Sequence, residues 1–295
     1  AREFGGYSGL ELSPDGSSLL AVSDAGTWLR ANLVYARDRR PVGLTKASIG
    51  PLLALKARRL TRGRDRDAEV VRLFNGNLTD GTVLIGFERN QRIGFFKLSA
   101  GQPKSPTRYI RPPIRLSSNK GIEAAAVIRA GRYKGAVIAF AERSIDPNGH
   151  HRGWLWHSPK TKRRGIAVQK ASLGAAAAVS AASVRPIALT DIAGFDITDV
   201  AGAVDGGLYT LERRFRWSEG VQMRIRHIAA ADIKPGAVLR GEILLEADMR
   251  YEIDNMEGLA VHRDKSNRTL LSVISDNNFN SFLQRTMLLQ FELTK

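Results

Sequence analysis

Short apolar runs separated by glycine-containing turns recur along the whole chain. Several runs alternate apolar and polar residues, which is the period of a half-buried strand, so the pattern predicts β-strands rather than helices. One unit recurs: a small or acidic cluster opens a first strand, a turn follows, and a second strand ends in a carboxylate. Its five copies pair residues 7–10 with 19–24, 67–71 with 83–88, 121–124 with 136–142, 196–200 with 207–212, and 255–259 with 270–276.

The spacing of the carboxylates supports a true repeat. In three copies the same interval of 19 positions separates a first carboxylate from a second: Glu69 to Glu88, Glu123 to Glu142, and Glu257 to Asp276. In a fourth copy, Asp199 and Glu212 are 13 positions apart across a shorter turn. Equivalent positions of the copies fall at residues 8, 69, 123, 199 and 257, and the 54 to 76 residues between them leave room for about four strands in each copy.

Radial repetition of four-stranded sheets is how a β-propeller protects its strand edges. The sequence therefore predicts an all-β fold, a β-propeller of five to six blades of about four antiparallel strands around a central channel. Residues 27–59 and 152–189 are long enough to hold the strands of a sixth blade. We expect residues 1–295 to form a single domain. The segment 172–184, with four consecutive alanines at 175–178, is compatible with a short helical insert, a buried strand or a linker.

Particular strings along the chain resemble a known family. YEIDNMEGLA at 251–260, SDNNF at 275–279 and LQRTMLLQF at 283–291 are similar to the bacterial phytase-like family described as "esterase-like activity of phytase". FGGYSGL at 4–10, SPDG at 13–16, VSD at 22–24, FDITD at 195–199 and LERRF at 211–215 agree with that resemblance. It implies an exported β-propeller, periplasmic or secreted, that hydrolyses phosphoesters or carboxylic esters. Members carry a further strand-forming segment before the position of Phe4, so the resemblance leaves the closure of the ring open.

Equivalent positions of a propeller lie at equivalent places around its axis, so carboxylates that are far apart in sequence become neighbours. We expect a first group of metal ligands in the channel, formed by Glu69, Glu123, Asp199 and Glu257. A second channel ring is expected from Asp24, Glu88, Glu142, Glu212 and Asp276. Like charges in a narrow channel require cations, arginines or protons. Ca²⁺ is the predicted cation, because it accepts about 6 to 8 oxygen ligands in flexible geometry.

The role of these carboxylates has three interpretations. They can hold blade to blade through hydrogen bonds to backbone N–H groups, bind a metal, or take part directly in catalysis. In the catalytic interpretation, Glu257 or Asp199 removes a proton from water and Arg213 binds an anionic group through its guanidinium. Beside the hydrolase, two other functions stay open: a metal-dependent lactonase resembling the gluconolactonase propellers, and a non-catalytic binding or scaffold propeller.

Composition narrows the choice of partners. The 45 basic and 29 acidic residues give a net charge of +16, which attracts anions, but the basic residues are dispersed and form no nucleic-acid motif. We therefore expect a small anionic or ester substrate, no nucleic acid, and a monomer. The absence of cysteine excludes disulfides and thiolate metal sites, and no apolar run approaches the roughly 20 residues of a transmembrane helix. The first residue is Ala1, which suits a cleaved leader or a trimmed chain.

Overall fold

Runs of apolar residues form twenty strands in a computed structural model that describes residues 4–117, 120–157, 183–280 and 282–294. The strands make five sheets, and within each sheet consecutive strands pair antiparallel. Blade 1 contains β1 (Tyr7–Leu12), β2 (Ser18–Ser23), β3 (Thr27–Tyr35) and β4 (Pro41–Pro51). Blade 2 contains β5 (Ala68–Gly76), β6 (Gly81–Phe87), β7 (Arg92–Ser99) and β8 (Gln102–Ile110). A 3₁₀ turn at Leu55–Ala57 and the short helix α1 (Gly63–Arg66) lie between these blades.

The remaining blades follow in chain order. Blade 3 contains β9 (Ile122–Val127), β10 (Val137–Ile145), β11 (His150–His157) and β12 (Ser183–Thr190). Blade 4 contains β13 (Asp196–Gly202), β14 (Leu208–Arg216), β15 (Gly220–Ile228) and β17 (Glu242–Asp248). Blade 5 has three strands, β18 (Met256–Arg263), β19 (Thr269–Ser275) and β20 (Leu288–Glu292). The two-residue β16 (Val238–Leu239) leaves the blade 4 segment and pairs parallel with β12, so it links blade 4 to the edge of blade 3.

Five apolar cores lie between neighbouring blades and define a ring. Blades 1 and 2 share one core, blades 2 and 3 the next, and the series continues through blades 3 and 4 and blades 4 and 5. The fifth core joins blade 5 to blade 1 through residues such as Leu10 and Ile274. The first strand of each blade lies innermost, where space is limited, and β9 accordingly carries three successive buried alanines. The burial of these faces supplies most of the driving force for closing the ring.

The ring closes between β1 and β18 without a shared strand. The amide of Gly6 donates to Asn277 Oδ1 at 3.0 Å, and the amide of Arg263 donates to the carbonyl of Pro14 at 3.1 Å. A Cβ at Gly258 would stand 3.0 Å from the Ser8 carbonyl oxygen, so the close approach of the two inner strands requires glycine there. Packing and loop hydrogen bonds therefore join blade 5 to blade 1 in the described part of the chain.

The structure confirms the all-β propeller and selects five blades. Residues 27–59 provide the outer strands of blade 1 and the connection to blade 2, and within 152–189 the described residues form strands of blade 3. The helical insert expected near 172–184 lies mostly outside the described residues; residues 183 and 184 belong to β12. No helix in the described part of the chain is long and apolar enough to cross a membrane.

Candidate functional site

Each of the five inner strands contains a β-bulge near its first residue. The strand register skips one residue in each blade: Ser8, Glu69, Glu123, Thr198 and Glu257. A bulged residue is left out of the ladder, and the local bend re-aims its side chain. The bulges thus place one side chain per blade at the same end of the ring. We call this end the mouth.

A second set of equivalent residues lies on the second strand of each blade, one residue beyond the partner of the position just before the bulge. Pairing aligns Ser23, Phe87, Ala141, Glu212 and Ser275, so the residues that follow them are equivalent: Asp24, Glu88, Glu142, Arg213 and Asp276. Four of the five are acids. The amides of Asp24, Glu88, Glu142 and Asp276 each donate to the carbonyl of the residue just before the inner strand of their own blade, at 2.8 to 3.2 Å. These hydrogen bonds hold the second set beside the bulged residues.

The two sets form one crowded acidic cluster. We define the mouth carboxylates as Asp24, Asp67, Glu69, Glu88, Glu123, Glu142, Glu257 and Asp276. Burial, and then repulsion from Asp67, raises the pKa of Glu69 well above its usual range. Burial, and then repulsion from Glu142 and Glu69, does the same to the pKa of Glu123. Burial also raises the pKa of Glu88 and of Glu257 to about 7 and that of Asp276 to about 6.

Three of the mouth carboxylates form a compact oxygen cluster. Asp67, Glu69 and Glu88 each direct one carboxylate oxygen so that the three atoms lie within 4.8 Å of one another. The Arg89 guanidinium holds Asp67, with its Nε 2.9 Å from Asp67 Oδ2. Sequence reasoning missed Asp67. The available signal was its place in the cluster that opens the second repeat unit, two residues before Glu69.

Arg213 is the basic member of the second set. Its Nε lies 3.4 Å from Glu257 Oε1, and its Nη2 lies 3.6 Å from Glu142 Oε1. Attraction from Glu257 raises the pKa of Arg213, so the guanidinium stays protonated. The Nε is buried and donates no hydrogen bond to the described residues. A cation with free donor capacity therefore stands among the acids, and this arrangement can receive an anionic group.

Asp199 lies below the mouth carboxylates and has a different environment. It follows the bulged Thr198, its side chain is 0% exposed, and it forms an ion pair with Arg72. It also accepts the backbone N–H groups of Val200 and Leu259 at 2.8 and 2.7 Å. The expected group of Glu69, Glu123, Asp199 and Glu257 is therefore corrected. Blade 4 contributes Thr198 at the bulge, and Asp199 acts as the partner of Arg72.

Glu212 also leaves the predicted second ring. It stands one position before Arg213, and successive strand residues face opposite sides. Its carboxylate is buried inside blade 4, where it meets Arg226 Nε and accepts the Thr210 hydroxyl at 2.7 Å. The interval of 13 residues between Asp199 and Glu212 pairs two acids in the sequence pattern. The equivalent pair in the structure is Thr198 and Arg213.

The raised pKa values predict how the stability of the calcium-free protein depends on pH. A carboxyl whose folded pKa lies above its unfolded value contributes stability that is full below about pH 4 and is lost as pH rises through about 7. We expect the melting temperature in chelator to fall between pH 5 and pH 8, and Ca²⁺ at pH 8 to restore most of the loss. Scanning calorimetry measures both.

A variant comparison isolates the contribution of the mouth. Burial lowers the pKa of His157 and of His262, so these two groups make the folded state more stable as pH rises. Asp264 has a pKa of about 2 and therefore does not titrate between pH 5 and pH 8. Glu69→Gln combined with Glu257→Gln should reduce the fall in melting temperature between pH 5 and pH 8. Asp264→Asn should leave the size of that fall unchanged. A calcium-free melting temperature that is level or rising from pH 5 to 8 would contradict this account.

Comparison with known proteins agrees with the fold. A family model described as "Phytase-like: Esterase-like activity of phytase" matches residues 2–279. The chain belongs to this phytase-like family. No curated protein matches the sequence of this chain. Membership confirms the resemblance carried by the sequence strings, and it extends over nearly the whole ring.

Solved structures that are similar to this chain have little sequence identity to it. An endo-arabinase from Bacteroides thetaiotaomicron VPI-5482 is 12% identical to this phytase-like chain, with a TM-score of 0.52, covering 99% of this chain and 95% of the arabinase. The β-propeller domain of Myceliophteria thermophila Cps50 (Swd1) is 10% identical, with a TM-score of 0.41, covering 98% of this chain and 72% of that domain. At these identities the likeness concerns the fold alone.

Proposed function

We propose that the mouth is a Ca²⁺-dependent hydrolase site that acts on phosphoesters or carboxylic esters. The observation that carries this proposal is the juxtaposition of two unlike elements. One is the oxygen cluster of Asp67, Glu69 and Glu88, whose carboxylate oxygens lie within 4.8 Å of one another. The other is Arg213, a guanidinium with free donor capacity 3.4 Å from Glu257. Membership of the phytase-like family supports the same class of reaction.

The donor set fits calcium. All three clustered groups are carboxylates, and hard oxygen ligands without histidine or cysteine are what Ca²⁺ prefers. Burial and mutual repulsion raise the pKa of Glu69 and of Glu88, and a cation removes this repulsion. When bound, Ca²⁺ would polarise a phosphoryl or carbonyl oxygen of the substrate. Asp67, Glu69 and Glu88 are the residues that would hold it.

Glu257 and Arg213 have complementary roles in the proposed reaction. Burial raises the pKa of Glu257 to about 7, which suits a general base near neutral pH. Glu257 takes a proton from water, the water oxygen bonds to the phosphorus or carbonyl carbon, and the ester oxygen leaves. The leaving oxygen takes this proton from Glu257, which returns to its carboxylate form, and Arg213 donates hydrogen bonds to the negative oxygens of the reacting group. Asp199, in its ion pair with Arg72, takes no part.

The proposed substrate is a small anionic or ester molecule that fits the mouth, and the proposed location is periplasmic or secreted. A turnover screen tests the reaction. Phosphomonoesters, carboxylic esters and lactones are offered with Ca²⁺ and with chelator. We expect calcium-dependent release of product from one of the two ester classes. Activity on lactones alone would favour the lactonase, and no turnover of any class in the presence of bound calcium would favour a binding or scaffold propeller.

A further inference from the structure

The exposed aromatic side chains of the described chain all lie on the mouth face. They are Phe4, Phe215, Trp217, Tyr251, Phe279 and Phe282. Trp217 is 94% exposed and Phe282 is 93% exposed, so neither takes part in the packing of the fold. In the described loops at the opposite end of the ring the aromatic side chains are at least half-buried. Aromatic residues confined to one face of a propeller indicate a surface that meets something apolar.

The two most exposed aromatics stand at projecting positions. Arg213 is at the mouth, and the β14–β15 turn carries Trp217 four residues beyond it, a reach of about 13 Å along an extended chain. Phe215 packs edge-on against Trp217 with ring centroids 5.4 Å apart. Phe282 lies in the connection from β19 to β20, six residues beyond Asp276. We call Trp217 and Phe282 the aromatic tips. They belong to blades 4 and 5 and lie on one side of the mouth.

Basic residues occupy the other side of the same face. The connections β4–β5 and β8–β9 lead into the mouth ends of β5 and β9. Together they carry nine exposed basic residues: Lys56, Arg58, Arg59, Arg62, Arg64, Arg66, Arg111, Arg115 and Lys120. Asp65 and Asp67 are the only acids in these connections. The excess of positive charge is large enough to attract an anionic surface, and we call these two connections the basic loops.

We propose that the mouth face docks on an anionic lipid bilayer, with the basic loops against the headgroups and the aromatic tips inserted at the interface. Tryptophan and phenylalanine at projecting tips suit a membrane interface, where an apolar body meets a wet boundary. Each lysine or arginine near an anionic leaflet adds attraction. Charge complementarity and the projecting shape favour a bilayer over a groove-seeking partner. This inference is independent of whether the mouth is catalytic.

Vesicle binding tests the proposal with the whole chain. Phosphatidylcholine vesicles with and without phosphatidylglycerol are sedimented with the protein at low and high salt. We expect binding to the mixed vesicles that weakens as salt rises, because salt screens the headgroup attraction. Trp28, Trp154 and Trp156 are buried, so a blue shift of the emission reports on Trp217. Trp217→Ser should abolish this shift.

Matched variants separate the aromatic tips from the basic loops. Trp217→Ser with Phe282→Ser should weaken binding about tenfold or more, while Val42→Ser with Val204→Ser, exposed sites away from the mouth, should not. Arg58→Glu with Arg62→Glu should weaken binding to the mixed vesicles about tenfold or more. Lys234→Glu with Lys265→Glu changes the net charge equally and should have a much smaller effect.

Three results would overturn the proposal. The first is no binding to either kind of vesicle at low salt. The second is an equal loss of binding in the mouth variants and in their controls. The third is a dimer that light scattering detects without lipid and that Trp217→Ser dissociates, which would assign the aromatic tips to a second copy of the chain.

Discussion

Replacing Arg72 by methionine is expected to lower the free energy of unfolding by about 3–5 kcal/mol, because it leaves a buried carboxylate without its cation. Both side chains are inaccessible: Arg72 is 1% exposed and Asp199 is 0% exposed. Arg72 also donates to the carbonyls of Leu10 and Val200, at 2.7 and 2.9 Å. One side chain of β5 thereby joins inner strands of blades 1 and 4. Urea unfolding curves of the two proteins measure the difference.

Two further variants identify the ion pair as the cause. Arg72→Met combined with Asp199→Leu should recover much of the loss, since replacing both members of a buried pair by apolar residues is often neutral. Arg250→Met removes the exposed partner of Asp248 and should cost at most about 1 kcal/mol. If Arg72→Met proved as stable as the parent protein, the ion pair between Arg72 and Asp199 would not contribute to the free energy of unfolding.

Glu257→Gln is expected to reduce kcat by about 10²–10⁴-fold on the substrate class that the turnover screen identifies, because the amide cannot accept a proton from water. Glutamine keeps the shape of the side chain and a hydrogen-bond acceptor for Arg213. Calcium binding, assigned to Asp67, Glu69 and Glu88, should persist in this variant. Steady-state kinetics and calcium titration on the same preparation measure the two properties separately.

The controls for Glu257 lie inside and outside the mouth. Glu69→Gln should weaken calcium binding and lower activity together, whereas Glu257→Gln should lower activity alone. Glu246→Gln, on the outer strand of blade 4, should change neither. Full activity in Glu257→Gln would remove this residue from the reaction and leave the choice of base to another mouth carboxylate.

Much of the fold could be predicted from the spacing of apolar runs. The five units correspond to the five blades. The closure of the ring between β1 and β18 could not be predicted, because it depends on contacts between residues far apart in sequence. The hydrogen bond from Gly6 to Asn277 spans almost the whole chain. Such contacts leave no periodic signal.

The candidate site could be predicted in part. Glu69, Glu123 and Glu257 do come together, because each occupies the bulge of its own blade. The spacing pattern selects Asp199 because it is acidic, whereas the bulged position of blade 4 is Thr198. A bulge shifts the register by one residue and so moves a side chain to the other face of the strand. Counting intervals between acids cannot detect that shift.

Arg72 gave a signal that the carboxylate pattern concealed. It is the one charged residue among the apolar positions 70, 71 and 73 of β5. A charge in such a run requires a buried partner. The same argument applies to Asp199, which lies between Thr198 and Val200. Together the two arguments suggest that Arg72 and Asp199 pair with each other.

The five bulges have a consequence for how this propeller can diversify. A skipped residue has no partner in the ladder, so exchanging it leaves the paired hydrogen bonds of the sheet in place. The present chain already uses serine, threonine and glutamate at these positions. New donors, acceptors or charges could therefore be installed there one blade at a time, with the scaffold unchanged. The side chains that face the mouth can therefore change while the architecture of the propeller stays the same.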